Sequence, residues 1–116
     1  MTKTTKKDFE LFMKECKIWE ERLRLDGWSI LYLHEEAGKA LAETDITPDT
    51  RTVCVRLNTE WTDPINTEAI KETAKHEMIH VLLGRMSGNA SYRYTSKIEL
   101  DESEEELVYK LEKIIK

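Results

Sequence analysis

The chain has 116 residues, of which 40% are hydrophobic and 35% are charged, a size and composition typical of a single globular domain with one modest core. Its apolar runs, such as residues 81–83, are far shorter than the roughly 20 residues of a membrane-spanning helix. With 18 basic and 23 acidic residues the net charge is −5, which gives no general attraction for a nucleic-acid backbone. We expect a cytoplasmic protein without nucleic-acid or membrane partners, since no signal-peptide pattern follows the N-terminal lysines.

The first half of the chain predicts one helix and a small sheet. Apolar residues recur every three or four positions over residues 8–25, the pattern of an amphipathic helix. Gly27 should end this helix, because glycine readily takes the left-handed conformation that follows a helix. Alternating patterns predict strands over residues 28–34 and 51–58, and residues 39–45 could form a third. We expect these strands to form a small antiparallel sheet.

The second half of the chain predicts two further helices. One begins at residues 62–64 or nearer residues 66–67, runs to Leu83, and ends at Gly84 or Gly88. A polar loop over residues 87–96 then leads to a last helix over residues 101–115. The apolar stripe of that helix comprises Leu107, Val108, Leu111, Ile114 and Ile115. The chain is therefore predicted to be a single α+β domain over residues 1–116.

A metal-binding pattern lies within the second of these three helices. His76, Glu77 and His80 form the sequence H-E-x-x-H. Helical positions four apart differ by only about 40° in direction, so both imidazoles can bind one ion at about 2.0–2.1 Å. Glu77 would then lie beside the ion, where its carboxylate can take a proton from water. The pattern predicts a Zn²⁺ site with two histidine ligands and Glu77 as general base.

The third ligand has to come from another part of the chain, because catalytic zinc usually has three protein ligands. A metzincin continuation is excluded, since Met86 stands where that class requires histidine. His34 lies far upstream and is expected to end a strand. Measured from Leu111 in the last helix, Glu104 falls at about 20° on the apolar stripe and Glu105 at about 120° on its flank. Glu104 is therefore the favoured third ligand, and Glu105 is the alternative.

The order of elements, the H-E-x-x-H motif and residues 104–111 together resemble a minimal gluzincin-type zincin. The chain is similar to short phage, prophage and bacterial proteins described as metallopeptidases, and the resemblance covers it from about Trp28 onward. It implies zinc held by His76, His80 and Glu104, with Glu77 as general base. It further implies an extended peptide or protein substrate paired along the strand of residues 51–58. Larger gluzincins carry an oxyanion-stabilising His or Tyr on a second lobe, for which this chain has no room.

Three residues of the predicted loop are candidates for stabilising a tetrahedral oxyanion. Tyr92 and Tyr94, with Arg93 between them, lie between the predicted metal-bearing helices, so one of these three side chains could stabilise an oxyanion. Packing of such loop aromatics on the surface is the commoner arrangement.

The sequence leaves two functions open. The first is a zinc-dependent metallopeptidase that hydrolyses peptide bonds through a metal-activated water. The second is a catalytically weak or inactive zinc-stabilised module that binds a host or phage protein. A purely structural zinc is disfavoured, because such sites normally have four ligands rich in cysteine, and Cys16 and Cys54 have no suitable neighbours in the sequence.

Overall fold

The predicted α+β layout is confirmed by the computed structural model, which describes residues 1–91 and 96–115. The described residues form these elements in chain order: β1 (Thr2–Lys3), α1 (Lys6–Arg22), β2 (Ser29–His34), β3 (Ala42–Thr47), β4 (Thr52–Leu57), β5 (Glu60–Trp61), α2 (Thr67–Ser91) and α3 (Lys97–Ile114). Within this part of the chain, no helix has the length and apolar character that crossing a membrane requires.

The first helix begins at a capping box. The Thr5 hydroxyl accepts a hydrogen bond from the Asp8 backbone N–H, and the Asp8 carboxylate accepts one from the Thr5 N–H. Three side chains of α1 are buried: Phe12, Cys16 and Trp19. The helix ends at Arg22 rather than at residue 25, because Arg24 takes the left-handed conformation, with φ 57°, that the sequence assigned to Gly27.

The central sheet has the strand order β2-β4-β3. Strands β3 and β4 are antiparallel, with Ala42 opposite Leu57. Strands β2 and β4 are parallel, with Ser29 opposite Thr52, so the prediction of an antiparallel sheet is wrong for this pair. A parallel pair requires a crossover connection, and here that connection carries β3, which lies on the far side of β4. A second, two-stranded sheet pairs β1 with β5 in antiparallel fashion.

This strand order corrects the expected substrate edge. Strand β4 covers most of residues 51–58 but lies between two neighbours, so its backbone groups are engaged on both sides. The expectation that this strand offers an edge to a peptide is therefore wrong. The two edges of the sheet are β2 and β3, and β3 is the one that packs against α2.

The core lies between the sheet and the first two helices. Strand β4 buries alternate residues, as a period of two requires: Val53, Val55 and Leu57. The side chains packed around them include Phe12, Trp61, Ile70, Ala74 and Met78. The Trp61 indole N–H donates to the Leu41 carbonyl at 3.0 Å, so this large aromatic is buried with its polar atom satisfied.

Helix α2 is longer than the sequence predicted. It runs to Ser91 and so contains Gly84, Gly88 and the first part of the predicted loop. A Cβ atom at Gly84 would overlap the Ile46 Cδ1 of β3 and would lie 3.2 Å from its Cγ2. Gly84 therefore serves close helix–strand packing rather than helix termination. Tyr92, Arg93 and Tyr94 lie outside the described residues.

Helix α3 packs along α2. It starts at Lys97, earlier than predicted, because the Ser96 hydroxyl caps it by accepting a hydrogen bond from the Glu99 N–H. Val108 is fully buried, whereas Leu107 and Ile114 are 43% and 70% exposed. The prediction that Leu107 and Ile114 belong to the buried apolar stripe is therefore wrong. At the other end, the Lys75 ammonium of α2 donates to the carbonyls of Glu112 and Ile115. This contact ties the last turn of α3 to α2.

Candidate metal centre

The H-E-x-x-H residues of α2 lie at a cavity of about 880 Å³ whose walls come mainly from β3, α2 and α3. The imidazoles of His76 and His80 are only 17% and 14% exposed. Their position follows from the packing of α2, which buries Met78 and Val81 in the core and leaves the two histidines on the side that faces α3.

The two imidazoles are spaced as one metal ion requires. Nε2 of His76 and Nε2 of His80 are 3.3 Å apart, and the ring planes are inclined at 67°. Two nitrogen ligands on a tetrahedral Zn²⁺, each at about 2.0–2.1 Å, are about 3.3–3.4 Å from one another. The observed separation thus fits a shared ion.

A carboxylate at Nδ1 holds each imidazole from behind. Nδ1 of His76 contacts the Glu112 carboxylate, and Nδ1 of His80 lies 3.1 Å from Oε2 of Glu104. A carboxylate at this nitrogen keeps the proton there and leaves the Nε2 lone pair free for a metal. Because both rings are oriented in this way, the lone pairs of the two Nε2 atoms can bind the same ion.

The structure brings Glu105 to the histidine pair. Within the described residues, ligand atoms of His76, His80 and Glu105 all lie within 4.8 Å of one another. Oε1 of Glu105 is 2.5 Å from Nε2 of His80, and Oε2 is 3.6 Å from Nε2 of His76. Glu104, the ligand favoured from the sequence, instead lies on the Nδ1 side of His80 and accepts a hydrogen bond from the Ser87 hydroxyl at 2.7 Å. Of the two candidate glutamates, Glu105 is thus the one beside the Nε2 atoms, and Glu104 is the one beside Nδ1.

Glu77 is buried beside the two histidines. Glu77 is only 6% exposed, and the Thr44 hydroxyl donates a hydrogen bond to its Oε1 at 2.7 Å. Burial raises the pKa of Glu77, and the Thr44 hydrogen bond and the two histidines oppose this shift only in part. A raised pKa suits a carboxylate that accepts and returns a proton.

Thr44 is a site residue that sequence reasoning missed. It falls within the segment that could form a third strand, but nothing in the sequence indicates that β3 packs against α2. Its inward direction becomes clear only from the pairing of β3 with β4, which places Thr44 opposite Val55.

The site carries an excess of negative charge. Among the described residues, four carboxylates lie around the two imidazoles: Glu77, Glu104, Glu105 and Glu112. Burial lowers the pKa of His80, but the Glu104 hydrogen bond and the nearby carboxylates outweigh it, so this pKa is raised. Burial likewise raises the pKa of Glu104, but hydrogen bonds from His80 and Ser87 outweigh it and this pKa is lowered. Such surroundings favour a cation, and two imidazoles with a carboxylate are ligands that Zn²⁺ accepts.

Separate alanine variants can distinguish the two candidate glutamates. We expect Glu104→Ala to weaken zinc binding about 10- to 100-fold, the usual cost of losing a carboxylate that orients a histidine ligand. Glu105→Ala should weaken zinc binding further, because it removes a ligand atom. Competition against a chelating dye measures both affinities. Glu106→Ala is the matched control, since Glu106 lies on the same helix and pairs with Lys110. The opposite ranking would make Glu104 the ligand.

Comparisons with known proteins leave the geometry as the basis for interpreting this site. No protein-family model, no curated protein and no solved structure matches the chain.

Proposed function

We propose that the protein is a zinc-dependent metallopeptidase that hydrolyses peptide bonds. One observation carries the proposal: Nε2 of His76 and Nε2 of His80 lie 3.3 Å apart, with both rings held at Nδ1 by carboxylates. Glu105 supplies the third ligand, and Glu77 is the general base. Three protein ligands leave a fourth position for water or substrate, which is the arrangement of catalytic rather than structural zinc.

The chemistry divides between the ion and the chain. When bound, zinc supplies a Lewis acid that polarises the substrate carbonyl and lowers the pKa of water. Glu77 accepts a proton from the attacking water as the water oxygen bonds to the carbonyl carbon. Glu77 then passes that proton to the leaving nitrogen, the C–N bond breaks, and a carboxylic acid and an amine are formed. Thr44 holds the carboxylate through Oε1, which leaves Oε2 for the proton.

The substrate is proposed to bind along β3. This strand is an edge of the sheet, and five of its residues line the cavity: Ala42, Glu43, Thr44, Asp45 and Ile46. An extended peptide can pair its backbone with such an edge and place side chains alternately into the cavity and away from it. The proposed substrate edge therefore moves from the strand of residues 51–58 to β3.

A cleavage screen tests the proposed function. The protein, purified without a histidine tag, is expected to hold about one zinc per chain. Incubation with a peptide library, followed by mass spectrometry, should reveal new termini that disappear after chelation and return when zinc is restored. Zinc binding without cleavage would support a zinc-stabilised binding module instead. A failure to bind zinc at neutral pH would overturn both functions.

A further inference from the structure

A tyrosine of α3 lies at the candidate metal centre without a role in the scheme above. Tyr109 follows Glu105 by four residues, one helical turn, so the two side chains project from neighbouring positions on the helix. Its ring packs against the His76 imidazole, with centroids 5.1 Å apart and planes inclined at 61°. The residue lines the cavity and is 55% exposed. Tyr109 therefore borders both a proposed zinc ligand and the space left for a substrate.

The hydroxyl of Tyr109 is available to a ligand. Within residues 1–91 and 96–115 it makes no hydrogen bond, whereas the Tyr32 hydroxyl donates to Oε2 of Glu20 at 2.5 Å. Three other side-chain donors on the cavity wall are engaged with the protein. The Thr44 hydroxyl donates to Glu77, the Ser87 hydroxyl donates to Glu104, and Lys97 pairs with Asp101 at 3.3 Å.

A peptidase site needs a hydrogen-bond donor where negative charge develops on the substrate carbonyl oxygen. The side chains nearest the candidate ligands are mostly carboxylates, which accept hydrogen bonds but cannot donate them when ionised. Tyr109 supplies a neutral donor beside His76. Its phenol can strengthen a hydrogen bond to the oxygen as charge builds up, and it keeps its own proton throughout.

We propose that Tyr109 is a catalytic residue whose hydroxyl donates a hydrogen bond to the substrate carbonyl oxygen as that oxygen becomes an oxyanion. This inference rests on the proposed peptidase function. It assigns to α3 the role that the sequence suggested for Tyr92, Arg93 or Tyr94. It also places the oxyanion donor within the single domain, so no second lobe is required.

The variant Tyr109→Phe tests the role, because phenylalanine keeps the ring that packs on His76 and removes only the hydroxyl. Zinc content and thermal unfolding should match those of the wild type. We expect kcat to fall about 100-fold with little change in KM, as for the loss of one oxyanion donor. Tyr32→Phe is the matched control: it also removes a tyrosine hydroxyl, but one bonded to Glu20, and its kcat should remain near the wild-type value.

A binding measurement gives a readout that does not depend on turnover. A phosphinic peptide of the cleaved sequence carries a tetrahedral centre with a charged oxygen, and calorimetry should show it binding about 100-fold more weakly to Tyr109→Phe, in line with the fall in kcat. Acetohydroxamate, which binds zinc without that tetrahedral centre, should bind both proteins alike. Unchanged kcat and phosphinate affinity in Tyr109→Phe would overturn the inference and leave the peptidase intact. A wild type that binds zinc but cleaves no peptide would overturn the proposed function and this inference with it.

Discussion

Glu77→Gln is expected to bind zinc as the wild type does and to hydrolyse peptides about 10²- to 10⁴-fold more slowly, the usual contribution of a general base. Glutamine has nearly the same shape as glutamate, and its amide oxygen can still accept the hydrogen bond that Thr44 donates to Oε1. Its amide cannot accept a proton from water at neutral pH. The variant therefore removes the proton acceptor and leaves the surrounding packing in place.

Kinetic constants and zinc stoichiometry, measured on the same preparation, separate these effects. A fall in kcat at full zinc occupancy is the expected result. Glu106→Gln, the same change at an exposed position of α3, is the control and should leave kcat unaltered. If Glu77→Gln cleaved peptides at the wild-type rate, Glu77 could not be the base. Loss of zinc from the variant would point instead to a structural role for its charge.

Removal of the metal is expected to loosen α3 more than any other element. Val108 is the one residue that α3 buries fully among those described, so its apolar contact with α2 is small. The candidate centre adds Glu104, Glu105 and Glu112 from α3 to the histidines of α2. Without a cation, these carboxylates lie close together and repel one another. With zinc at about 1,000 times its Kd, binding should stabilise the folded chain by about 4 kcal/mol.

Hydrogen exchange with and without chelator tests this expectation. Backbone amides of α3 should exchange faster after chelation, while those of α1 and β4 should keep their protection until the whole domain unfolds. His80→Ala serves as the control, because zinc should no longer change its exchange pattern. Equal loss of protection in all elements, or no loss in α3, would contradict a metal-dependent attachment of this helix.

Local patterns predicted the elements that carry the candidate metal ligands but not how these elements face one another. The spacing of His76 and His80 on a helix, and the presence of a later helix rich in glutamate, follow from sequence periodicity. The parallel pairing of β2 with β4 could not be predicted, because alternation reports which residues share a face and not the direction of the neighbouring strand. Thr44 was missed because its contact with Glu77 depends on which strand packs against α2, and the sequence does not indicate this.

The ranking of Glu104 over Glu105 in the sequence depended on the choice of Leu111 as the reference direction. The sequence took Leu111 as the centre of the inward face of α3, and exposed Leu107 and Ile114 were counted within it. Measured from buried Val108 instead, Glu104 lies about 40° to one side, while Glu105 and Glu112 lie about 60° and 40° to the other. All three glutamates thus lie within about 60° of the direction that faces α2. Helical phase alone therefore cannot show which carboxylate lies near a histidine Nε2 and which lies near Nδ1.

The contact between β3 and α2 has a consequence for how a small domain can hold the proposed base, Glu77, in place. Two residues apart on β3, Thr44 bonds to Glu77 and Ile46 lies against Gly84. Glu77 and Gly84 are themselves separated by seven residues, or two helical turns, and so share one face of α2. With a single contact the helix could rotate about that point. Two contacts with one strand fix both the position of the helix along its axis and its rotation about that axis. The orientation of the Glu77 carboxylate is therefore set by three residues of one strand, residues 44–46, and requires no further layer of protein.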